Sequence, residues 1–331
     1  MSTNLPEGFT ARAPQPAEIR QVYEFIKMCD IAEVGQPDID LDELEIKWSQ
    51  PDFNLETDAL LVLTPQGEIV GYGSCQELGK PTMLIAANTH PGFYDKGIGS
   101  FLLDRAEERL GQQIGRLDPT LEVTFANWSH SPNQAARRLL ESRGYRQIRE
   151  FWQMEYQFEG PPHAPAWPDG IAVRSFVRGQ DEQAVYDVYE ATFSDHWGHV
   201  PISFAEYAEK RFTRKDFNPD MWFLAVNTAS GEAAGYAACS LDPEDDRGWV
   251  NNLGVKRAYR RGGLGLALLR HSFQKIYEKG KAATRLVVDG QSLTGAVSLY
   301  TGAGMQPVMS YTRFEKIVRP GIAVGVKELA G

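Results

Sequence analysis

Arg260-Arg261-Gly262-Gly263-Leu264-Gly265 is the segment of this chain best suited to hold an anion. An apolar, strand-like run, Trp249 to Val255, precedes it, and a helix-periodic apolar run, Leu264 to Tyr277, follows. Glycines without a β-carbon let backbone N–H groups close on phosphate oxygens, and the first turn of a helix adds unpaired donors and a partial positive charge. A pyrophosphate fits such a cradle. The spacing argues against two common nucleotide loops. A dinucleotide fingerprint needs G-x-G-x-x-G with an acidic residue about 20 positions on; here the order is R-x-x-G-x-G, and Leu286-Val287-Val288-Asp289 leads into another helix. A Walker loop needs G-K-[ST], and Gly265 is followed by Leu266 and Ala267. A second group with chemical capacity is Ser194-Asp195-His196-Trp197-Gly198-His199. His196 titrates near neutrality unless perturbed, with Asp195 or His199 placed to tune it; ordinary capping and packing is the competing reading.

The glycine segment resembles the acyl-CoA motif [QR]-x-x-G-x-[GA] of the GNAT superfamily of N-acetyltransferases, with Arg260, Gly263 and Gly265 in its defined positions. Downstream, Ala296-x-x-Leu299-Tyr300-x-x-x-Gly304-Met305 is similar to the second motif of that family, A-x-x-L-Y-x-x-x-G-F. The resemblance implies acetyl-CoA as co-substrate, no metal, and attack by a neutral amine on the thioester. Arg260, Arg261, Gly262, Gly263, Leu264, Gly265 and Ser292 are then expected to hold CoA. Backbone groups of Leu253, Gly254 and Val255 are expected to pair with the pantetheine arm as an added strand would. Tyr300 takes the position that donates a proton to the departing thiolate; packing on the apolar face of its helix is the alternative role. Many relatives carry a glutamate on the strand before the glycine turn, whereas this strand reads Trp249-Val250-Asn251-Asn252-Leu253. Asn251 and Asn252 can orient a substrate but cannot take its proton. The base is therefore sought in His196 and Asp195, with Trp197 and His199 shaping the acceptor pocket; Asp289, at a strand end, is a weaker candidate.

The same arrangement occurs earlier in the chain. His90 to Leu103 parallels Lys256 to Leu269, and Ala136 to Tyr145 parallels Ala296 to Met305. This repeat is far too long for a solenoid, so each copy is expected to be a domain. The fold class expected is α+β: two tandem GNAT-type domains, each a mixed, mainly antiparallel sheet flanked by helices. Residues 1–159 form the first, 160–170 a proline-rich linker, and 171–331 the second. The copies differ where chemistry is expected. Tyr94 stands where Arg260 stands, and Leu140, which cannot donate a proton, stands where Tyr300 stands. The first domain is therefore expected to be catalytically degenerate, with Gly97, Ile98 and Gly99 left as a candidate second CoA site.

In the second copy the pattern gives a strand over 171–176, a helix over 180–193, a helix over 203–212, and strands over 222–226, 233–240 and 249–255. After the motif helix come a strand over 285–288, a helix over 293–301 and a final hairpin ending near Ile317. The first copy repeats this with strands near 60–63, 69–77, 82–89 and 122–125.

At 331 residues the chain suits two cores. Its net charge of −10 disfavours nucleic acid and anionic membranes as partners and is compatible with a cationic substrate. No apolar run approaches the roughly 18 residues needed to span a bilayer, the N-terminus reads as lacking a secretion signal, and Cys29, Cys75 and Cys239 are scattered, as expected for buried thiols of a cytoplasmic protein. The resemblance implies an acetyl-CoA-dependent N-acetyltransferase acting on a primary amine of a small molecule, as monomer or homodimer. The tandem architecture is similar to that of mycothiol synthase-like members of the superfamily, which makes a cysteinyl amine one candidate acceptor. A longer acyl group, an alcohol acceptor, or a non-catalytic acyl-CoA sensor or scaffold are the other readings.

Overall fold

The computed structural model describes residues 5–77, 81–194, 196–214, 217–241, 245–292 and 295–325. It divides into two compact units, residues 1–150 with 309–324, and residues 151–308 with 325–331. In chain order the first unit holds β1 (Thr10–Arg12), α1 (Ile19–Val34), α2 (Leu41–Trp48), the single turn α3 (Leu55–Asp58), β2 (Ala59–Leu63), β3 (Ile69–Gln76), β4 (Thr82–Thr89), α4 (Ile98–Gly111), β5 (Val123–His130) and α5 (Gln134–Ser142). β6 (Arg146–Gln157) leads into the second unit, which continues with β7 (Ile171–Ser175), α6 (Glu182–Phe193), α7 (Phe204–Phe212), β8 (Trp222–Asn227), β9 (Ala233–Leu241), β10 (Arg247–Val255), α8 (Leu264–Glu278), β11 (Ala283–Asp289) and α9 (Ala296–Gly302). β12 (Gln306–Arg319) closes the order.

Most expected elements lie within a few residues of their sequence-predicted bounds. The end of the chain does not follow expectation: in place of a final hairpin there is one 14-residue strand, β12. Its residues Tyr311 to Arg319 pair antiparallel with β5, inside the first unit. Conversely Phe151 to Gln157 of β6 pair antiparallel with β11, inside the second unit. Each repeat's last strand thus completes the sheet of the other unit, and the units differ from a division of the sequence at the proline-rich stretch. That stretch belongs to the second unit, where Trp167 packs on the α8 cluster with its ring 5.6 Å from that of His271.

Among the named strands of each unit, one neighbouring pair is parallel. β2, β3 and β4 form an antiparallel meander, as do β8, β9 and β10. β4 then runs parallel to β5, and β10 parallel to β11. Both faces of the second sheet are covered. On one side Leu264, Leu268, Leu269, Phe273 and Ile276 of α8 pack on Phe223, Val250 and Leu286. On the other, Val185 and Val188 of α6 and Tyr207 of α7 pack on Leu224 and Tyr236. Complete burial of side chains of this size is worth roughly 1.5–3 kcal/mol each. In the first unit α1 and α2 cover one face through Val22, Phe25 and Trp48, and α4 covers the other through Leu102, Leu103 and Leu110. No helix among the described residues is long and apolar enough to cross a membrane.

Candidate active site

The second unit opens where its one parallel ladder ends. β10 and β11 pair only at Arg247↔Ala283, Gly248↔Thr284 and Trp249↔Arg285. Beyond Trp249, β10 stays with β9 as far as Val255, while β11 stays with β6 as far as Asp289. The two strands therefore part, leaving Leu253, Gly254 and Val255 on a strand that, among the described residues, has no strand partner on the side toward β11. A β-bulge lies at the start of this segment: Val250 faces Cys239 and Asn252 faces Ala238, so Asn251 is the extra residue. Its side-chain amide donates to Ser240 Oγ at 2.8 Å. The matching pairing in the first unit, Gly71↔Thr89 to Gln76↔Leu84, runs without a shift.

At the mouth of this opening lies the glycine loop. Arg261 has φ +66° and Gly263 φ +85°, and Gly263 is the N-cap of the 15-residue helix α8 with no side-chain cap. Such alternation turns successive N–H groups toward one point, at the positive end of a helix dipole. Arg260 donates from Nε to the Val255 carbonyl at 2.9 Å, which ties the loop to the end of β10. The loop is exposed from Arg261 to Gly263 and buried at Leu264. An added Cβ on Gly265 would lie 3.4 Å from Leu299 Cδ2, so the first turn of α8 rests on α9.

α9 carries Tyr300, packed against the α8 cluster beside Ala296, Val297 and Leu299. Burial pushes its hydroxyl up to about 12, which keeps it protonated at neutral pH, the state a proton donor needs. Ser292 sits in the turn after β11, with its N–H on the Asp289 carbonyl at 3.0 Å. Asp289 Oδ1 accepts from the Gln291 N–H in the same turn. At the vertex, Arg285 forms a buried ion pair with Glu155 of β6, and the other oxygen of Glu155 accepts from Gln157.

Of the residues expected to shape the acceptor pocket, Asp195 lies outside the described residues. The His196 ring lies 4.6 Å from that of Phe193, the last residue of α6, tilted by 48°, and Trp197 lies 6.3 Å from Phe151 of β6. His199 is buried, with Nε2 3.2 Å from Glu190 Oε2 of α6. The structure thus groups Leu253 to Gly265 with α9, and sets His199 against a carboxylate that sequence reasoning did not single out. Glu190 stands in a helix read through its buried positions Val185, Val188 and Thr192, and nothing in the sequence marks its pairing with His199.

The first unit repeats the loop backbone with different side chains. Asp95 has φ +60° and Gly97 φ +84°, and Gly97 caps α4 as Gly263 caps α8. Gly97, Ile98 and Gly99 therefore keep the cradle's main chain. Tyr94, however, donates to Glu33 Oε1 at 2.9 Å, and Glu33 also receives Asn133 at 2.6 Å and faces His130 at 2.9 Å. Asp38 joins the network through His130 at 3.2 Å and Tyr311 at 2.7 Å. Carboxylates thus occupy the side of the loop where Arg260 stands in the second unit. Leu140, at the position of Tyr300, is fully in the core.

Residues 19–145 and 183–305 each match the model of the acetyltransferase (GNAT) family, and the chain belongs to that family. Among its relatives is a mycothiol acetyltransferase of Paenarthrobacter aurescens, 31% identical over 242 residues, covering 72% of this chain and 71% of the relative. Another, from Catenulispora acidiphila, is 27% identical and covers 88% of this chain and 93% of its own length. A GCN5-related N-acetyltransferase of Sphaerobacter thermophilus superposes with a TM-score of 0.87 at 33% identity, over 97% of this chain and 99% of that one. A tandem GNAT protein from the clavulanic acid biosynthesis pathway has the same fold, with a TM-score of 0.70 at 18% identity over 95% and 99%. The protein is an acetyl-CoA-dependent N-acetyltransferase.

Proposed function

We propose that transfer takes place in the second unit and that the first unit has lost it. The observation that carries this is the contrast between the two glycine loops: Arg260 faces an open strand edge with Tyr300 protonated nearby, whereas Tyr94 is bound to Glu33 and Leu140 is core. In this reading the loop from Arg260 to Gly265, with Ser292, holds the CoA phosphates, and Leu253, Gly254 and Val255 pair with the pantetheine amides. A neutral amine attacks the thioester carbonyl directly, the C–S bond breaks, Tyr300 gives its proton to the departing thiolate, and the proton shed by the acylated nitrogen passes through water to solvent, which reprotonates Tyr300. Asn251 and Asn252 orient the acceptor. The first unit, with carboxylates beside its loop, does not bind CoA.

The acceptor in this reading is a small primary amine. A cysteinyl amine is a second, narrower reading, favoured by the match to mycothiol acetyltransferases across most of the chain. Three free, buried thiols suit a cytoplasmic setting. The test of the chemistry is Tyr300→Phe. It is expected to lower kcat by about 100-fold or more, the usual yield of a positioned acid, with acetyl-CoA affinity unchanged. An unchanged kcat would remove Tyr300 from the mechanism.

A further inference from the structure

We propose that the first unit carries a binding site for a compact apolar carboxylate, a molecule with one small ring or branched body and one acid group, between α3, α4 and the β2–β3 ladder. A cavity of about 210 Å³ lies there. Leu60, Gly73 and Cys75 of the sheet and Leu102 and Ala106 of α4 form its apolar wall. Leu102, Arg105, Ala106 and Arg109 follow one another at helical spacing, so a single stripe of α4 supplies both part of that wall and two guanidinium groups. Burial pushes the Cys75 thiol up to about 12, so it stays an uncharged S–H and adds to the apolar lining.

The space exists because the first unit has smaller residues where the second is filled. Leu60 faces Gly73 across β2 and β3, as Phe223 faces Ala237 across β8 and β9. Counted from the capping glycines Gly97 and Gly263, Arg105 stands in α4 where His271 stands in α8. In the second unit the His271 ring meets Phe223 at 4.7 Å and Trp167 at 5.6 Å, and Phe223 is buried. In the first unit the Arg105 guanidinium lies 5.7 Å from the Phe101 ring and pairs with Glu108 at the surface. A dry cavity of about 150 Å³ is enough to hold a benzene ring, so a single ring fits here.

The polar groups at the cavity select the charge of its ligand. Arg109 donates from Nε to Asp58 Oδ1 at 2.7 Å, which fixes its guanidinium. Asp58 is buried and fully engaged: Oδ1 also accepts from Thr57 Oγ1 at 3.0 Å, and Oδ2 from the Asn54 N–H at 2.8 Å. The two terminal nitrogens of Arg109 have no acceptor among the described residues, although its side chain is only 27% exposed. Of the other carboxylates lining the cavity, Glu108 is paired with Arg105 and Glu56 lies exposed in water. The groups left to meet a ligand are therefore donors, and a planar guanidinium matches a carboxylate through two parallel bonds. The ring enters toward Gly73 and Cys75, and the acid group stays at Arg109.

The test is a ligand-observed NMR titration of the full chain with benzoate, and with benzylamine and benzyl alcohol, which keep the ring and change the charge. Wild type is expected to bind benzoate with a Kd of about 1 mM or tighter and the other two about tenfold more weakly or worse. Leu60→Phe, which installs the residue of the second unit, is expected to weaken benzoate about tenfold or more by filling the cavity. Arg109→Lys keeps the charge beside Asp58 and loses the planar fork, and is expected to weaken benzoate about fivefold. Each variant is first shown to fold by thermal unfolding. Should Leu60→Phe not fold, Gly73→Ala, whose added Cβ would lie 3.1 Å from the end of the Leu102 side chain, takes its place. No benzoate binding at concentrations about tenfold above the expected Kd, equal affinity for benzylamine, or an unchanged benzoate Kd in either folded variant would overturn the assignment.

Discussion

Replacing His130 by glutamine should remove a stabilisation that exists only at neutral and acid pH. The imidazole is 10% exposed and sits between Glu33 at 2.9 Å and Asp38 at 3.2 Å. Burial lowers its pKa, but the hydrogen bonds to Asp38 and Glu33, with their charges, outweigh burial and bring it from 6.5 to about 9. A folded-state pKa above the unfolded value means that the native state holds the proton more tightly. The stabilisation is then complete below about pH 6.5 and disappears as pH rises through 9. At about 1.4 kcal/mol per pKa unit, the shift corresponds to about 3 kcal/mol. Lys47 has the opposite slope: burial brings its ammonium down to about 8, so the penalty on its charge is relieved between pH 8 and 10.5. The informative quantity is therefore the difference between wild type and His130→Gln in denaturant-induced unfolding, measured from pH 5.5 to 10. That difference should be about 3 kcal/mol larger at pH 6 than at pH 10. A pH-independent difference, or one that grows toward high pH, would refute the ionised Glu33–His130–Asp38 arrangement and with it the view that charge fills this end of the first unit.

Two backbone sites give further tests. Gly254→Ala drives a methyl into Thr192 and Tyr236 and should cost about 1–3 kcal/mol of stability along with most transfer activity; adding Thr192→Ala, which removes the 2.7 Å contact, should restore part of both, and strict additivity would contradict the packing described. Gly321→Ala places a Cβ 2.5 Å from the Leu121 carbonyl carbon and from Thr120 O, where Glu122 N–H meets Ile322 O, so it should lower Tm by several degrees with amine KM unchanged. A variant as stable as wild type would mean that this closure of the first unit is looser than described.

The sequence disclosed the parts whose physics is local. β4 begins and ends where alternation put it, and the limits of α8 follow from Gly263 and the apolar run that begins at Leu264. Loop geometry was also legible, because φ near +85° at Gly263 and Gly97 is a conformation that L side chains rarely adopt. Partner choice was not. β6 and β12 each follow the last helix of their repeat, and nothing in their alternation states which sheet edge they join; only the assembled cores do. The parting of β10 from β11 was hidden for the same reason, since a ladder's length depends on both strands. Glu190 was missed because its pairing with His199 is a contact between α6 and the segment that follows it, which a helix-periodic sequence does not mark. The loss of function expected for the first unit was readable as Tyr94 and Leu140, but the physical obstacle, Glu33 and Asp38 joined through His130, came from residues 92 or more positions apart paired across the fold.

The central claim, one acetyl-CoA site and that in the second unit, is tested most directly by calorimetric titration of acetyl-CoA into wild type, Gly263→Asp and Gly97→Asp, each shown to be folded. Each substitution sets a carboxylate at the N-cap of its loop helix, where the backbone donors converge. One site in wild type, lost in Gly263→Asp and retained in Gly97→Asp, is the result expected. Two sites in wild type, one removed by each substitution, would contradict it.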